Sequence, residues 1–307
     1  MPNFKMLSVL IPLSVAIGIA AISFSSIFVR WSEAPVSVIA MYRLWLANVL
    51  LLPWLAGNWR EISRLTGKQW LLLLATGGAL GLHFLLWMAS LRFTSVSSST
   101  SLLTLEPIFV MLAGIWWFRQ KPQRSELVGM GIAVIGAMLI GWHDFSFTLR
   151  SLQGDLLSLL GAAAVAVHML IGKQLRETMS AYVYSFFSFF LAACLLAVYN
   201  LFRSIPLGGY GLKEWGVFML LAAVPTLFGH YLFNWLLKYL RAASVSMTVL
   251  GEPAGSTLLA LILLNEPVTY KQLLAMMILL FGVWIFLRKK EYSRRKTHKL
   301  NGSLDQA

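Results

Sequence analysis

Leu91-Arg92-Phe93-Thr94-Ser95-Val96-Ser97-Ser98-Ser99-Thr100-Ser101-Leu102-Leu103-Thr104-Leu105-Glu106-Pro107 places a carboxylate beside a proline in an apolar surround. The pattern returns at Leu237–Pro253, 146 residues further on, and ends in Glu252-Pro253. The two stretches align without a gap. Arg92-Phe93 falls on Lys238-Tyr239, Ser98 on Ser244, Thr100 on Ser246 and Glu106-Pro107 on Glu252-Pro253. A duplicated chain with a carboxylate deep in each half fits a pseudo-symmetric membrane protein with a site between its halves.

The chain is 58% hydrophobic and 12% charged over 307 residues, with a mean hydropathy of +0.74. Soluble domains carry about 25% charged residues, so this chain has too few to clothe a soluble surface. The net charge of +13 would suggest nucleic acid in a soluble protein. Here the basic residues sit in short gaps between apolar runs, where membrane orientation accounts for them and no nucleic-acid partner is expected. The single Cys194 excludes an intrachain disulfide framework and a cysteine metal cluster.

Runs of roughly 20 apolar residues predict an all-α integral membrane protein with ten transmembrane helices, arranged as two inverted five-helix repeats. The spans fall near 8–30, 36–56, 69–91, 95–118, 124–142, 154–174, 180–202, 213–238, 243–264 and 270–288. This gives a first repeat at 8–142, a second at 154–288 and a basic cytoplasmic tail at 289–307. The apolar run Met6–Val29 exceeds the roughly 7–15 residues of a signal-peptide core and reads as a helix. With the N-terminus inside, eighteen Lys and Arg fall on the inner side and six on the outer, with Arg43 within a span. This asymmetry predicts both termini in the cytoplasm of a multi-pass protein. Five helices per half then invert the second copy, a device for alternating access.

Small residues recur at helical spacing: Gly77 and Gly81 on the third span, and Gly129, Ala133, Ala137 and Gly141 on the fifth. Such faces let helices approach closely; packing is the first reading, and homodimer formation through the fifth or tenth helix the second. Most tryptophans stand near span ends, as interfacial anchors do. Trp87, Trp235 and Trp45 lie deeper and are candidates to face a cavity.

Ala34-Pro35 followed by Ala40-Met41-Tyr42-Arg43, the two Glu-Pro stretches, Gln120-Lys121-Pro122 and Asn265-Glu266-Pro267 occur in order within two five-helix repeats. Together they make residues 8–288 resemble the EamA-type transporters of the drug/metabolite transporter superfamily. The resemblance implies a cavity lined mainly by helices 1, 3, 4, 6, 8 and 9. It also implies movement of a small metabolite across a bacterial inner membrane, with export favoured. Lys121 stands where the second repeat has Glu266, which separates this chain from a symmetric acidic pair at those positions.

Three charges lie clearly within the predicted spans: Arg43, Glu106 and Glu252. A charge at a helix centre costs about 2.5–3.5 kcal/mol on insertion scales, so each needs a partner or a wet cavity. At 1.5 Å per residue, Arg43 lies roughly 10 Å and Glu106 roughly 16 Å below the outer surface, and the long arginine side chain spans that difference if helices 2 and 4 are neighbours. The carboxylates either bind a cationic group or exchange a proton, or else serve structure by capping donors or pairing with Arg43. His83 and Trp87 share a face of helix 3, and His230 and Asn234 a face of helix 8, by four-residue spacing; His168 is a third polar wall. The alternative is that each histidine is satisfied by a neighbouring helix. His83 is expected in the outer half and His230 near the inner end, too far apart in depth to share a metal ion. Ser98 and Ser99, about two turns from Glu106, can share its face, whereas most of the hydroxyls of helices 4 and 9 are expected only to return hydrogen bonds to their own helix. Asn48 is a further lining candidate.

No GxxxxGK[ST], HExxH or GxSxG occurs, so ATP-driven pumping by this chain and hydrolytic chemistry are not expected. Neither a cofactor nor a metal is called for. The residues favour a secondary transporter for a small-molecule substrate, with an amino acid or related solute fitting the mixed charges. A non-enzymatic scaffold or channel, or a carrier of drugs or sugars, is the alternative. The basic tail Arg288-Lys289-Lys290, Arg294-Arg295-Lys296 and Lys299 attracts anionic lipid, at about 1 kcal/mol per charge.

Overall fold

The computed structural model describes residues 4–119, 121–141, 148–265 and 268–304. Gln120, Trp142 and Glu266-Pro267 of the sequence motifs lie outside the described residues, as do the side chains of the tail beyond Arg288. Every described element is helical. In chain order they are α1 (Phe4–Trp31), α2 (Val36–Leu51), α3 (Gly67–Ser90), α4a (Val96–Leu103), α4b (Glu106–Phe118) and α5 (Arg124–Gly141). They continue with α6 (Leu149–Leu175), α7 (Ala181–Phe202), α8 (Leu212–Leu236), α9a (Ala242–Val249), α9b (Glu252–Leu263) and α10 (Tyr270–Leu304). Among the described residues, nine helices are long and apolar enough to cross a membrane, counting the two broken ones as one each. The other, α5, has 18 residues and lies antiparallel along α10.

Local chemistry sets the helix ends. Thr66 Oγ1 accepts the Gln69 amide at 3.3 Å while Gln69 Oε1 accepts the Thr66 amide at 2.9 Å, a capping box that opens α3. Ser95, Thr148 and Ser180 cap α4a, α6 and α7 in the simpler way, each accepting the amide three residues on. Pro53 has no amide hydrogen, and α2, expected to run to 56, instead gives way at Leu51 to short 3-10 turns and a four-residue helix, Trp59–Ile62.

Two expected spans are interrupted. The continuous helices predicted at 95–118 and 243–264 break just before Glu106 and Glu252. Pro107 and Pro253 each lack an amide hydrogen and clash with the carbonyl four residues back, so each helix restarts at its Glu-Pro pair. α8 is also irregular: Ala222–Tyr231 is wound as a π-helix around Pro225. Pro225 cannot donate backwards, and the Thr226 hydroxyl donates to the Leu221 carbonyl at 2.7 Å, a five-residue step. Such π segments are uncommon and cluster at functional places.

The two halves interlock. α1 packs against α8 and α9b, and α6 against α3 and both parts of α4. α2 packs on α7, and α5 on α10. The broken helices cross, α4a against α9b and α4b against α9a, which brings both breaks to the middle of the molecule. One apolar core lies among α2, α3, α7 and α8, and a second among α5, α9 and α10 with the ends of α4 and α8. Gly129 and Gly136 of α5 and Gly282 of α10 serve the contact between these two helices. A Cβ at Gly282 would stand 2.7 Å from Ala133 Cα and from the Gly129 oxygen, and one at Gly136 would stand 2.7 Å from Leu279 Cα. Gly77 and Gly81 admit α7 in the same way.

Candidate functional site

The crossing of the two broken helices opens onto a narrow cavity with about 40 Å³ of free space. Its walls come from α1, α3, α4, α6, α8 and α9. Glu106 and Glu252, the first residues of α4b and α9b, both face it. Both are buried and lie within electrostatic reach of each other. Glu106 Oε1 accepts a hydrogen bond from Ser246 Oγ at 2.6 Å, so the α9a half-helix holds the carboxylate of the other repeat. Among the described residues, the Glu252 side chain has no hydrogen bond or ion pair. Each carboxylate stands at the N-terminal end of a half-helix, where unpaired amides and the helix dipole favour negative charge.

Three histidines line the same space. His83 Nδ1 is 3.0 Å from the Gly161 carbonyl of α6, which fixes the Nδ1–H tautomer when the ring is neutral. Its ring is parallel to that of Trp87, with centroids 6.2 Å apart. His168 Nδ1 lies 2.8 Å from Thr76 Oγ1 and 3.3 Å from the Tyr184 hydroxyl. His230 meets the Phe84 ring edge-on at 5.1 Å. His83 and His230, expected at different depths, therefore share one cavity. Asn234 lines it too, donating through Nδ2 to Ser185 Oγ at 3.1 Å while its backbone carbonyl accepts from Arg176 Nε at 2.9 Å.

Arg43 adjoins the cavity and has no ion pair among the described residues. Its Nε donates to Thr226 Oγ1 at 2.7 Å and its Nη1 to Ser25 Oγ at 3.0 Å, and the guanidinium lies 4.2 Å from the Phe84 ring centroid. The expected pairing with Glu106 is corrected: α2 packs against α3, α7 and α8, so the side chain turns to α1 and α8. It remains within electrostatic reach of Glu252. Nη2 of Arg43 and Nε1 of Trp87 are buried donors without an acceptor among the described residues.

Ser98 is placed elsewhere. Its hydroxyl donates to Asp155 Oδ1 at 3.0 Å on α6, because the break before Glu106 ends the shared helical face. Of the deeper tryptophans only Trp87 lines the cavity; Trp45 is exposed beside Phe190 and Trp235 packs on Tyr239. Asn48 back-bonds to the Leu44 carbonyl at 3.0 Å. Ser25, Thr226 and Phe84 were not singled out from sequence, and Ser246, expected among the hydroxyls that bond back to their own helix, instead reaches Glu106 across the helix crossing. The available signals were Ser246's alignment with Thr100 and Thr226's place after Pro225.

Both ends of the bundle are tied. At one end Arg92 Nη2 donates to the carbonyls of Ser32 and Ala34, Glu214 accepts from Ser32 Oγ and the Glu33 amide, and Lys213 pairs with Glu33 at 3.2 Å. At the other, Arg241 at the head of α9a pairs with the buried Glu126 of α5, and Lys173 Nζ donates to the Leu237 carbonyl at 2.9 Å.

The model of the EamA-like transporter family matches residues 9–142 and 152–288. An uncharacterized transporter of Archaeoglobus fulgidus is 25% identical over 290 residues, covering 91% of this chain and 96% of that protein. Uncharacterized transporter YetK of Bacillus subtilis is 22% identical over 297 residues, covering 94% and 89% respectively. A solved crystal structure with 15% identity superposes at a TM-score of 0.74 over 92% of this chain and 98% of its own, a likeness of fold.

Proposed function

The chain belongs to the EamA-like transporter family, and from that premise we propose that it is a secondary transporter exporting an amino acid or related solute across the bacterial inner membrane by alternating access. Membership makes it a multi-pass membrane transporter without enzymatic activity. The finer reading counts α5 as a tenth span, with repeats at 8–142 and 154–288, a cytoplasmic tail at 289–307 and both termini inside. Five spans per half invert the second copy, and the excess of Lys and Arg on one side sets the orientation.

One observation carries the proposal: Glu106 and Glu252, from different halves and both at helix breaks, face one cavity. A solute amine would sit between the carboxylates. Its own carboxylate would meet the free donors of Arg43 and Trp87. His83, His168, His230 and Asn234 form the polar walls. Space of about 40 Å³ holds a few waters at most, so a larger solute enters only when one end of the bundle parts. Opening the Arg241–Glu126 end exposes the cavity to the cytoplasm, and opening the Arg92 and Glu214 end exposes it to the outside. Two neighbouring carboxylates suit exchange of a proton for the solute.

Phe84, Trp87 and Phe233 in the wall favour a second reading, a planar or apolar solute. Counterflow in proteoliposomes with labelled amino acids, sugars and cationic drugs separates the two. Saturable exchange of amino acids supports the first reading, and exchange of drugs alone replaces it with the second. Proton coupling requires that Glu106→Gln or Glu252→Gln keep exchange and lose pH-driven accumulation. Unchanged accumulation in both variants refutes the coupling.

A further inference from the structure

We propose that the connection between α2 and α3 holds a binding site for the phosphate headgroup of an anionic lipid. A cavity of about 330 Å³ opens here, sharing no lining residue with the central one, with Arg60, Glu61, Arg64, Gln69 and Thr178 on its walls. Arg60 and Arg64 are exposed and have no ion pair among the described residues. The acidic residue in the wall is already engaged: Glu61 Oε1 accepts the Ser180 amide at 2.6 Å, at the N-terminal end of α7, where the helix dipole favours its charge. Gln69 is engaged as well, in the cap of α3 and with Thr178 Oγ1 at 3.4 Å. Two guanidinium groups against one carboxylate leave the pocket with a net positive charge, and the forked donors of the arginines suit phosphate oxygens.

The surroundings select a lipid over a soluble phosphate. Trp54, Trp59 and Trp70 are exposed around the connection, the pattern of side chains held at headgroup depth. From Trp70 the face of α3 continues through exposed Leu71 and Leu74, an apolar track along which an acyl chain can lie. Basic pockets between spans on the cytoplasmic side are suited to anionic headgroups. The assignment to the inner leaflet rests on the proposed orientation; binding itself is measured without transport, so failure of the transporter reading leaves this test standing.

Native mass spectrometry of the full chain in detergent, titrated with phosphatidylglycerol, tests the site. One saturable lipid is expected on the wild type, weakened roughly 10- to 30-fold in Arg60→Gln/Arg64→Gln and partly restored in Arg60→Lys/Arg64→Lys, which keeps the charge and loses the fork. Arg294→Gln/Arg295→Gln in the tail should leave this event intact, and phosphatidylcholine should not saturate it. Both arginines are exposed, and an unchanged gel-filtration profile checks that the variants fold. Equal phosphatidylglycerol binding by wild type and Arg60→Gln/Arg64→Gln overturns the proposal. Displacement of the lipid by millimolar inorganic phosphate also overturns it, because it assigns the pocket to a soluble anion.

Discussion

Replacing Gly282 by alanine adds one methyl group where two helix backbones touch. The new Cβ would stand 2.7 Å from Ala133 Cα and from the Gly129 oxygen. Carbon atoms rest at about 3.5 Å or more, so α5 and α10 must part by roughly 0.8 Å at this point. Neither neighbour is the end of a flexible side chain, so rotamer changes cannot absorb the methyl. The seam is also tight at Gly129 and Gly136, whose added Cβ atoms would meet the backbone at Phe286 and Leu279, so a local shift spreads along both helices. Overpacking of this kind costs about 1–3 kcal/mol. At about 2–4 °C per kcal/mol for a chain of this order of size, the midpoint should fall by roughly 2–12 °C. Thermal unfolding of the purified protein in detergent, read by gel filtration, measures it. Gly131→Ala is the matched control on α5, since a Cβ there meets nothing within 4 Å; its midpoint should hold or rise, alanine being the better helix former. Equal shifts in the two variants would refute the argument from backbone contact.

Ser246→Ala removes the hydroxyl that holds Glu106. A hydrogen bond to a charged group contributes about 1.5–3 kcal/mol, so the unfolding midpoint in detergent should fall by roughly 3–12 °C. Thr248→Ala, whose hydroxyl only returns to the Val245 carbonyl, should be near wild type. Thr226→Val takes away the acceptor of Arg43 Nε and the hydroxyl bond across the π turn, and should lower the unfolding midpoint and impair transport together; a fully active, fully stable variant would contradict the role assigned to Thr226. Arg241→Gln and Glu126→Gln each break a pair with one buried partner, and each should destabilise. The double variant should lose less than the sum, with a coupling of roughly 0.5–3 kcal/mol in a double-mutant cycle.

Apolar runs made the helical membrane fold legible, and the alignment of Glu106-Pro107 with Glu252-Pro253 located the two helix breaks, though not as breaks. A span count treats each apolar run as one rod and ignores what proline does inside it. Pro107 and Pro253 turned two rods into four pieces, and the break moved Ser98 off the face of Glu106 and against Asp155. Arg43 was legible as a buried charge. Its partners depended on which helices are neighbours, and that pairing of α2 with α8 is tertiary information absent from any local pattern. The histidines were found by four-residue spacing on α3 and α8. Their meeting in one cavity followed from the interlocked halves and the irregular winding around Pro225. Asp155 was passed over because it lies near the end of its span, where a charge raises no alarm. The small residues of α5 were legible as a packing face, and the structure supplies the partner that spacing could not name, α10 of the same chain.

The interlocking also sets a timetable for synthesis. α1 leaves the ribosome well before its partners: its seat on α8 and α9b is built from residues about 200 positions later. That seat is shaped for it: Gly229 abuts Ile22, Gly251 abuts Ile19 and Gly255 abuts Ser23. At about 5–20 residues per second, α1 waits some 10–40 s before its groove exists, with the hydroxyls of Ser23, Ser25 and Ser26 in lipid or against a temporary host. Ser23 covers part of that interval alone, bonding back to the Ile19 carbonyl at 2.8 Å. The first half of the nascent chain is thus a set of helices awaiting partners, and an insertion factor that shelters polar helix faces would have its longest engagement with this one.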